Sequence, residues 1–386
     1  MDNSIYEKIN QKTIAVIFGG ISGEHEVSLV SANSIISVLK NRGYNILPIG
    51  ISRDGRWIIA EDPLETLRLN KKIPQNELVF LSTDPNIKGL VVLKQNENGE
   101  YIFDRTIQID IIFPVLHGTY GEDGVIQGLF ELSGIPYIGC GVTACACGMD
   151  KIVMKRLFKC AGLNVTEDIY FYRMTWQKDK ASIISKCETL GYPLFVKPAN
   201  TGSSVGISKA HNKIELEKAI DLACEYDIRI QVETSVEKAR EIEVAVLGNS
   251  EPRASIPGEI VPSNEFYDYE AKYESGKSKA LVPAEINEKL QEEIRFKAKT
   301  AYTAIGCEGL ARVDFLLDPK TEELFINEVN TLPGFTSISM YPTLWGATGI
   351  PYEELLDRLI YLALERFAER KKNSVKGGNK TSWYKS

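Results

Sequence analysis

Apolar positions in the first 140 residues alternate between two spacings. Residues 13–19 (TIAVIFG) are a short β-branched run closed by Gly19-Gly20, and residues 26–39 (EVSLVSANSIISVL) carry apolar side chains at helical intervals. The pattern predicts a strand, a tight loop and a helix, with a second strand over 44–51. A further strand is predicted over 107–116 (IQIDIIFPVL), ending in His117-Gly118. Such alternation favours an α/β fold with a parallel sheet and crossover helices. Residues 62–105 read as a polar, irregular insertion at the edge of this unit.

The pattern restarts near residue 140. A helix is predicted over 151–160, a strand over 168–172 and a helix after Lys180. Residues 192–197 (YPLFVK) then form a strand that delivers the loop PANTGSSVG, and a strand over 206–209 leaves it, making a hairpin whose tip can fold over a ligand. Strands at 228–233 and 242–247 precede a long polar stretch, 262–279. A charged amphipathic helix at 284–304, strands at 310–317 and 324–328, and a closing helix from 352 to about 370 complete the chain. These breaks divide it into segments 1–139, 140–232 and 233–370, with a basic, disordered tail at 371–386.

Composition removes several classes of function. The chain has 386 residues, 44% of them hydrophobic, with 45 Lys+Arg against 52 Asp+Glu and 3 His. The net charge of -7 disfavours nucleic acid and anionic membranes as partners. No window approaches the ~18 apolar residues of a membrane span, and MDNSIYEKINQK lacks a signal peptide's apolar stretch, so a cytoplasmic location is expected. Seven cysteines without a Cys-x-x-Cys pair argue against both a disulfide framework and a zinc site. From Arg370 onward six Lys/Arg stand without an acid, which suits either a tether to nucleic acid or membrane or a frayed, solvated terminus.

Chemistry must therefore rest on carboxylates, lysines, arginine and backbone. Period-2 geometry puts Arg312 and Asp314 on one strand face and Glu328 and Asn330 on one face of the next. If those strands pair, Asp314, Glu328 and Asn330 converge as oxygen donors suited to Mg2+. The alternative, an ordinary charged face, fits poorly with the apolar flanks LARVDFLL and LFINEV. In the following loop, 331–339, Gly334 can offer an N–H to an oxyanion, and Ser337 and Ser339 can bind a carboxylate, although alone this is a generic Ser/Thr turn. Lys197 ahead of Gly202-Ser203-Ser204 suggests a phosphate cradle, yet no Walker A motif surrounds it. Lys151 begins a helix, where anions bind favourably; in isolation it reads as a surface lysine. His117 closes a strand at the ligand-binding end of a parallel sheet, as an orienting group or a hydrogen-bonded structural one, and Glu24 can meet an ammonium group there.

Seven segments, in order, resemble the D-alanine:D-alanine ligase family of ATP-grasp enzymes: GGISGEHEVSL, HGTYGEDGVIQG, MDK, VKPANTGSSVGISK, REIEVAVLG, FYDYEAKY and GLARVDFLLD with INEVNTLPGFTSISMYP. The resemblance implies an ATP-grasp α/β fold in which an N-terminal parallel-sheet domain is followed by central and C-terminal α+β domains enclosing ATP. It implies that Lys151, Lys197, Ser203, Ser204 and Lys272 contact the nucleotide phosphates, that Glu233 and Val236 meet adenine, and that Glu241 meets the ribose. Asp314, Glu328 and Asn330 match ligands for Mg2+, with Mn2+ as an alternative. Glu24, with His117 nearby, matches the site of the first D-alanine's ammonium. Glu24, Ser203 and Tyr273 match a hydrogen-bonded set over the closed site. Arg312 and the Gly334 N–H match the oxyanion pair, and Ser339 and Met340 the second amino acid's site.

The implied reaction activates one D-alanine as an acyl phosphate at the expense of ATP, after which the amine of a second displaces phosphate. Loops at 198–206 and 262–279 would exclude water. Tyr273 and Met340 favour D-alanine over D-serine or D-lactate as second substrate. The rivals are a ligase for those or another pair of amino acids, and a catalytically inactive ATP-binding regulator. Relatives are commonly dimers, so a homodimer is expected.

Overall fold

A computed structural model describes residues 11–73, 75–261, 279–336 and 338–373. The polar stretch 262–278, with Lys272 and Tyr273, as well as Ser337 and the tail from 374, lie outside the described residues.

Thr13–Gly19 is the centre of a sheet ordered Trp57–Ile58, Asn45–Ile51, Thr13–Gly19, Ile111–Val115. It runs parallel to both neighbours, as the alternation predicts. Only Trp57–Ile58 is antiparallel. The His25–Asn41 helix covers the sheet with Leu29, Ala32, Ile35, Ile36 and Leu39, a stripe at i, i+3, i+4 spacing.

Residues 62–105 contain regular elements, contrary to the irregular insertion expected. Asp62 caps the Pro63–Arg68 helix by accepting from the Glu65 N–H. Glu77–Leu81, Gly89–Gln95 and Tyr101–Gln108 form an antiparallel three-stranded sheet. Val79, Leu81, Leu90 and Val92 enter the core beside Ile17 and Ile49, while Leu78, Phe80, Tyr101, Ile102 and Phe103 stay exposed among polar side chains, which masks the period of two. The single strand expected over 107–116 is also two. Tyr101–Gln108 ends in the small sheet, and Ile111–Val115 starts in the parallel one after Asp110, whose carboxylate accepts from the Thr13 N–H at 2.9 Å.

The second sheet, entirely antiparallel, is ordered Ser208–Ala210, Leu194–Pro198, Arg229–Thr234, Asp168–Tyr172. The predicted hairpin is present. Phe171, Trp176, Leu194, Val196, Ile220 and Val232 fill a core of their own beneath it. The third sheet contains Lys279–Leu281, Gly258–Val261, Arg240–Gly248, Gly309–Leu317 and Leu324–Asn330 in that order, with Arg253–Ala254 paired to Arg240–Gly248. Across it lies the Glu288–Ala304 helix, capped by Asn287 and buried through Leu290, Ile294, Ala298, Ala301 and Tyr302.

The closing helix, Tyr352–Arg370, joins the ends of the chain. Its Leu355, Leu356, Leu359 and Ile360 share a core with Ile14, Val16 and Phe113 of the first sheet, and Arg366 donates to the Tyr137 carbonyl at 2.8 Å. All seven cysteines are free. Among the described residues no helix is long and apolar enough to cross a membrane.

Candidate active site

Strand pairing builds the centre of the site. Arg312 lies opposite Asn330 and Asp314 opposite Glu328, as the period-2 reading requires. On the other side Glu243 lies opposite Asp314, so three carboxylates form one row across three strands. Arg312 donates from Nε to Asp314 Oδ1 at 2.7 Å and from an Nη to Oδ2 at 2.6 Å, and Asn330 donates to the same Oδ2 at 2.8 Å. Burial opposes the arginine's charge, but Asp314 and Glu243 outweigh it and push its pKa well above the usual value. Among the described residues no group of three or more His, Cys, Asp or Glu is arranged to hold a metal. Two carboxylates and an amide instead fit a hard cation that takes its remaining donors from phosphate and water.

A second cluster surrounds Glu233, on the strand beside that of Lys197. Lys197 Nζ lies 2.5 Å from one carboxylate oxygen, while Lys155 and Thr166 donate to the other. Burial raises the Glu233 pKa, but the two ammonium charges prevail and hold it far below the usual carboxylate range. Burial lowers the Lys155 pKa despite Glu233. At Lys197 burial is outweighed by Glu233, Glu328 and Glu241, and the pKa rises. Lys151, first residue of the Lys151–Cys160 helix, donates to the Thr201 carbonyl in the hairpin loop.

The third cluster closes over Glu24. Ser203 Oγ donates to its Oε1, from a loop in which Ser203 and Ser204 hold φ of 46° and 59°. Residues other than glycine rarely occupy that left-handed region, and such strain gathers at ligand-clamping loops. His117 Nδ1 lies 3.1 Å from the Leu332 carbonyl oxygen and 3.4 Å from Glu122 Oε1, while its buried Nε2 has no hydrogen-bond partner among the described residues. Burial, with the Glu24 charge adding to it, raises the Glu122 pKa to about 7 against the opposing bond to His117. Burial works against the His117 charge, but Glu122 and Glu24 raise its pKa. In the loop after Asn330, Ser339 Oγ accepts from the Thr336 N–H at 3.0 Å, and Met340 begins a helix.

One cavity of about 900 Å3 gathers these groups. Its walls include Glu24, His117, Lys151, Lys197, Ser203, Ser204, Glu233, Val236, Glu241, Arg312, Asp314, Glu328, Asn330, Gly334, Ser339 and Met340, every predicted site residue within the described chain. Sequence reasoning missed three contributors. Lys155 lies four residues after Lys151, one helical turn on; Glu243 lies two residues after Glu241, on the same strand face; Glu122 lies within the His117 motif.

Residues 13–140 match the model of the D-ala D-ala ligase N-terminus, and residues 157–361 that of the D-ala D-ala ligase C-terminus. The chain is 49% identical over 372 residues to the D-alanine–D-alanine ligase of Chloroherpeton thalassium, covering 95% of this chain and 100% of the relative. It is 50% identical over 366 residues to that of Heliobacterium modesticaldum, covering 95% and 98%. Among solved structures, the D-Ala:D-Ser ligase from Enterococcus faecalis superposes with a TM-score of 0.79 at 39% identity, covering 91% of this chain and 99% of that one. The D-alanine-D-alanine ligase from Coxiella burnetii gives 0.77 at 33% identity, covering 94% and 97%.

Proposed function

The chain belongs to the D-alanine–D-alanine ligase family, and from that premise we propose that it joins two D-alanine molecules at the expense of ATP, supplying D-alanyl-D-alanine for peptidoglycan synthesis. The observation that carries the reading is the single cavity in which a carboxylate row, a lysine pair and the Glu24 loop meet.

The chemistry divides among these clusters. Glu24 receives the ammonium of the first D-alanine, with His117 beside it, and the carboxylate of that substrate faces the γ-phosphoryl group. A carboxylate oxygen attacks phosphorus, ADP leaves, and a mixed anhydride replaces a poor acyl donor with a good one. The amine of the second D-alanine attacks the acyl carbon. Arg312 and the Gly334 N–H stabilise the tetrahedral oxyanion, and phosphate departs. Ser339 holds the second substrate's carboxylate, and Met340 lines its place.

On the nucleotide side, Lys151, Lys197, Ser203, Ser204 and Lys272 bind phosphates, Glu233 and Val236 flank adenine, and Glu241 binds ribose. A divalent ion at Asp314, Glu328 and Asn330, Mg2+ with Mn2+ as the alternative, would supply neutralising charge to the phosphates. Tyr273 completes the set with Glu24 and Ser203 that shuts out water. A three-part division at 139 and 232 and a cytoplasmic homodimer free of nucleic acid and membrane belong to the same proposal. The separate core under the second sheet, from Phe171 to Val232, supports a central unit, whereas Cys140, Ala144, Met154 and Phe158 pack with the third sheet.

Incubation with ATP, Mg2+ and D-alanine is expected to yield ADP, phosphate and D-alanyl-D-alanine in equal amounts. A requirement for D-serine or D-lactate as second substrate would overturn the specificity, and nucleotide binding without turnover would overturn the activity. Sedimentation reads the oligomeric state.

A further inference from the structure

We infer that Glu243 is a positioning residue that fixes Arg312 for the reaction, an inference that rests on the reading of Arg312 as the oxyanion's donor. The starting point is a conflict of duties at Asp314. Arg312 occupies both of its carboxylate oxygens, and Asn330 adds a bond to one of them. The proposed cation site calls on the same carboxylate. Oxygens committed side-on to a guanidinium are not at the same time fully available to a cation. Arg312 therefore needs a second anion that is not itself a cation ligand.

Glu243 stands where that anion is required. It lies opposite Asp314 on the neighbouring strand, is 6% exposed, lines the cavity, and brings Oε2 to 3.1 Å from Arg312 Nε. The other five residues from Ile242 to Leu247 are apolar and buried. A buried ion pair contributes little net stability relative to an apolar replacement, so stability does not account for an acid at this position. The single Nε–H of Arg312 is donated to Asp314 Oδ1, so Glu243 acts on the guanidinium through its charge at close range. It is an anion that stays beside Nε when a cation draws on Asp314, and it keeps the planar group in place as an oxyanion donor. Lys in place of Arg312 would lack that fork.

The test uses the full chain with Glu243→Gln, Glu243→Asp and Arg312→Lys. Steady-state kinetics give kcat and both KM values, and calorimetry gives the affinity for ADP across a magnesium titration. Glu243→Gln is expected to lower kcat about 10- to 100-fold, the range for a displaced catalytic group, while leaving KM and the magnesium dependence of ADP binding unchanged. Glu243→Asp, which keeps the charge, should recover part of the loss. Wild-type kcat in Glu243→Gln would overturn the inference, and so would a magnesium requirement raised about tenfold, which would make Glu243 a ligand. Should Glu243→Gln melt at a much lower temperature, the double variant with Arg312→Lys decides: a residue acting through Arg312 costs nothing further in that background, and an equal loss in both backgrounds overturns the role. Wild-type kcat in Arg312→Lys would instead defeat the reading of Arg312 itself.

Discussion

Asp314 and Glu328 face each other directly across two paired strands, a relation in which like charges repel by about 0.2–1 kcal/mol. A fold selected for stability alone has no use for that pairing, whereas a cation between them turns it to advantage. Glu328→Gln is therefore expected to leave the melting temperature of the ligand-free protein unchanged or slightly raised. Phosphate release should fall at least about 100-fold, the scale on which removal of one electrostatic partner of a reacting group acts. Calorimetry and a phosphate assay check both halves; lower stability with intact turnover would assign Glu328 to the fold instead.

Glu233 gives a prediction about acid stability. Its carboxylate serves Lys197, Lys155 and Thr166 together, and its native pKa lies far below the ordinary value of 4.5. A depressed carboxylate pKa contributes stability that is fully present above pH 4.5 and is lost as pH falls from there toward the native value. Glu233→Gln leaves two ammonium groups without their anion and should cost about 3–5 kcal/mol at neutral pH. Urea unfolding at neutral pH and at about pH 3.5 should show that gap narrowing on acidification, because only the wild type gives up this contribution. A gap that stays constant or widens would mean that the charge of Glu233 is not what stabilises it.

The sequence made the strands of the large sheets legible, because their apolar runs are long and their polar members, such as Asp314 and Glu328, stand out against them. It hid the small sheet of residues 77–108, where exposed Phe80, Tyr101, Ile102 and Phe103 blur the contrast between inner and outer faces. Lys155 and Glu243 were hidden for another reason. Helical spacing places Lys155 on the face of Lys151, and strand alternation places Glu243 with Glu241, but neither rule names the partner. Glu243 meets Asp314 only because the 240–248 strand takes its place beside the 309–317 strand, a choice made by tertiary packing.

Ser203 and Glu24 are 179 residues apart and joined by one hydroxyl. A hydrogen bond to a charged group contributes about 1.5–3 kcal/mol, so Ser203→Ala is expected to raise the KM for D-alanine roughly tenfold or more while the KM for ATP moves less. Loosening the loop also admits water to the acyl phosphate. The ratio of phosphate released to dipeptide formed should then exceed one, measured by parallel phosphate and product assays. A ratio of one with unchanged KM would remove the loop from substrate closure.

Gly118 tests the position of Glu24 without touching that residue. Its φ is +73°, and a Cβ there would lie 2.7 Å from Glu24 Oε2, so alanine both strains the backbone and displaces the carboxylate. Gly162 provides the control, with a φ of +75° and nothing within 4 Å of an added Cβ. Both substitutions to alanine should lower stability by about 1–2 kcal/mol, the cost of the left-handed conformation. Only Gly118→Ala should raise the KM for D-alanine, since only there does the new methyl group meet the acid that receives the substrate's ammonium. Equal increases in the two variants would attribute the effect to general destabilisation and separate Glu24 from substrate binding; an increase confined to Gly118→Ala, with ATP affinity retained, ties the first amino acid to this loop.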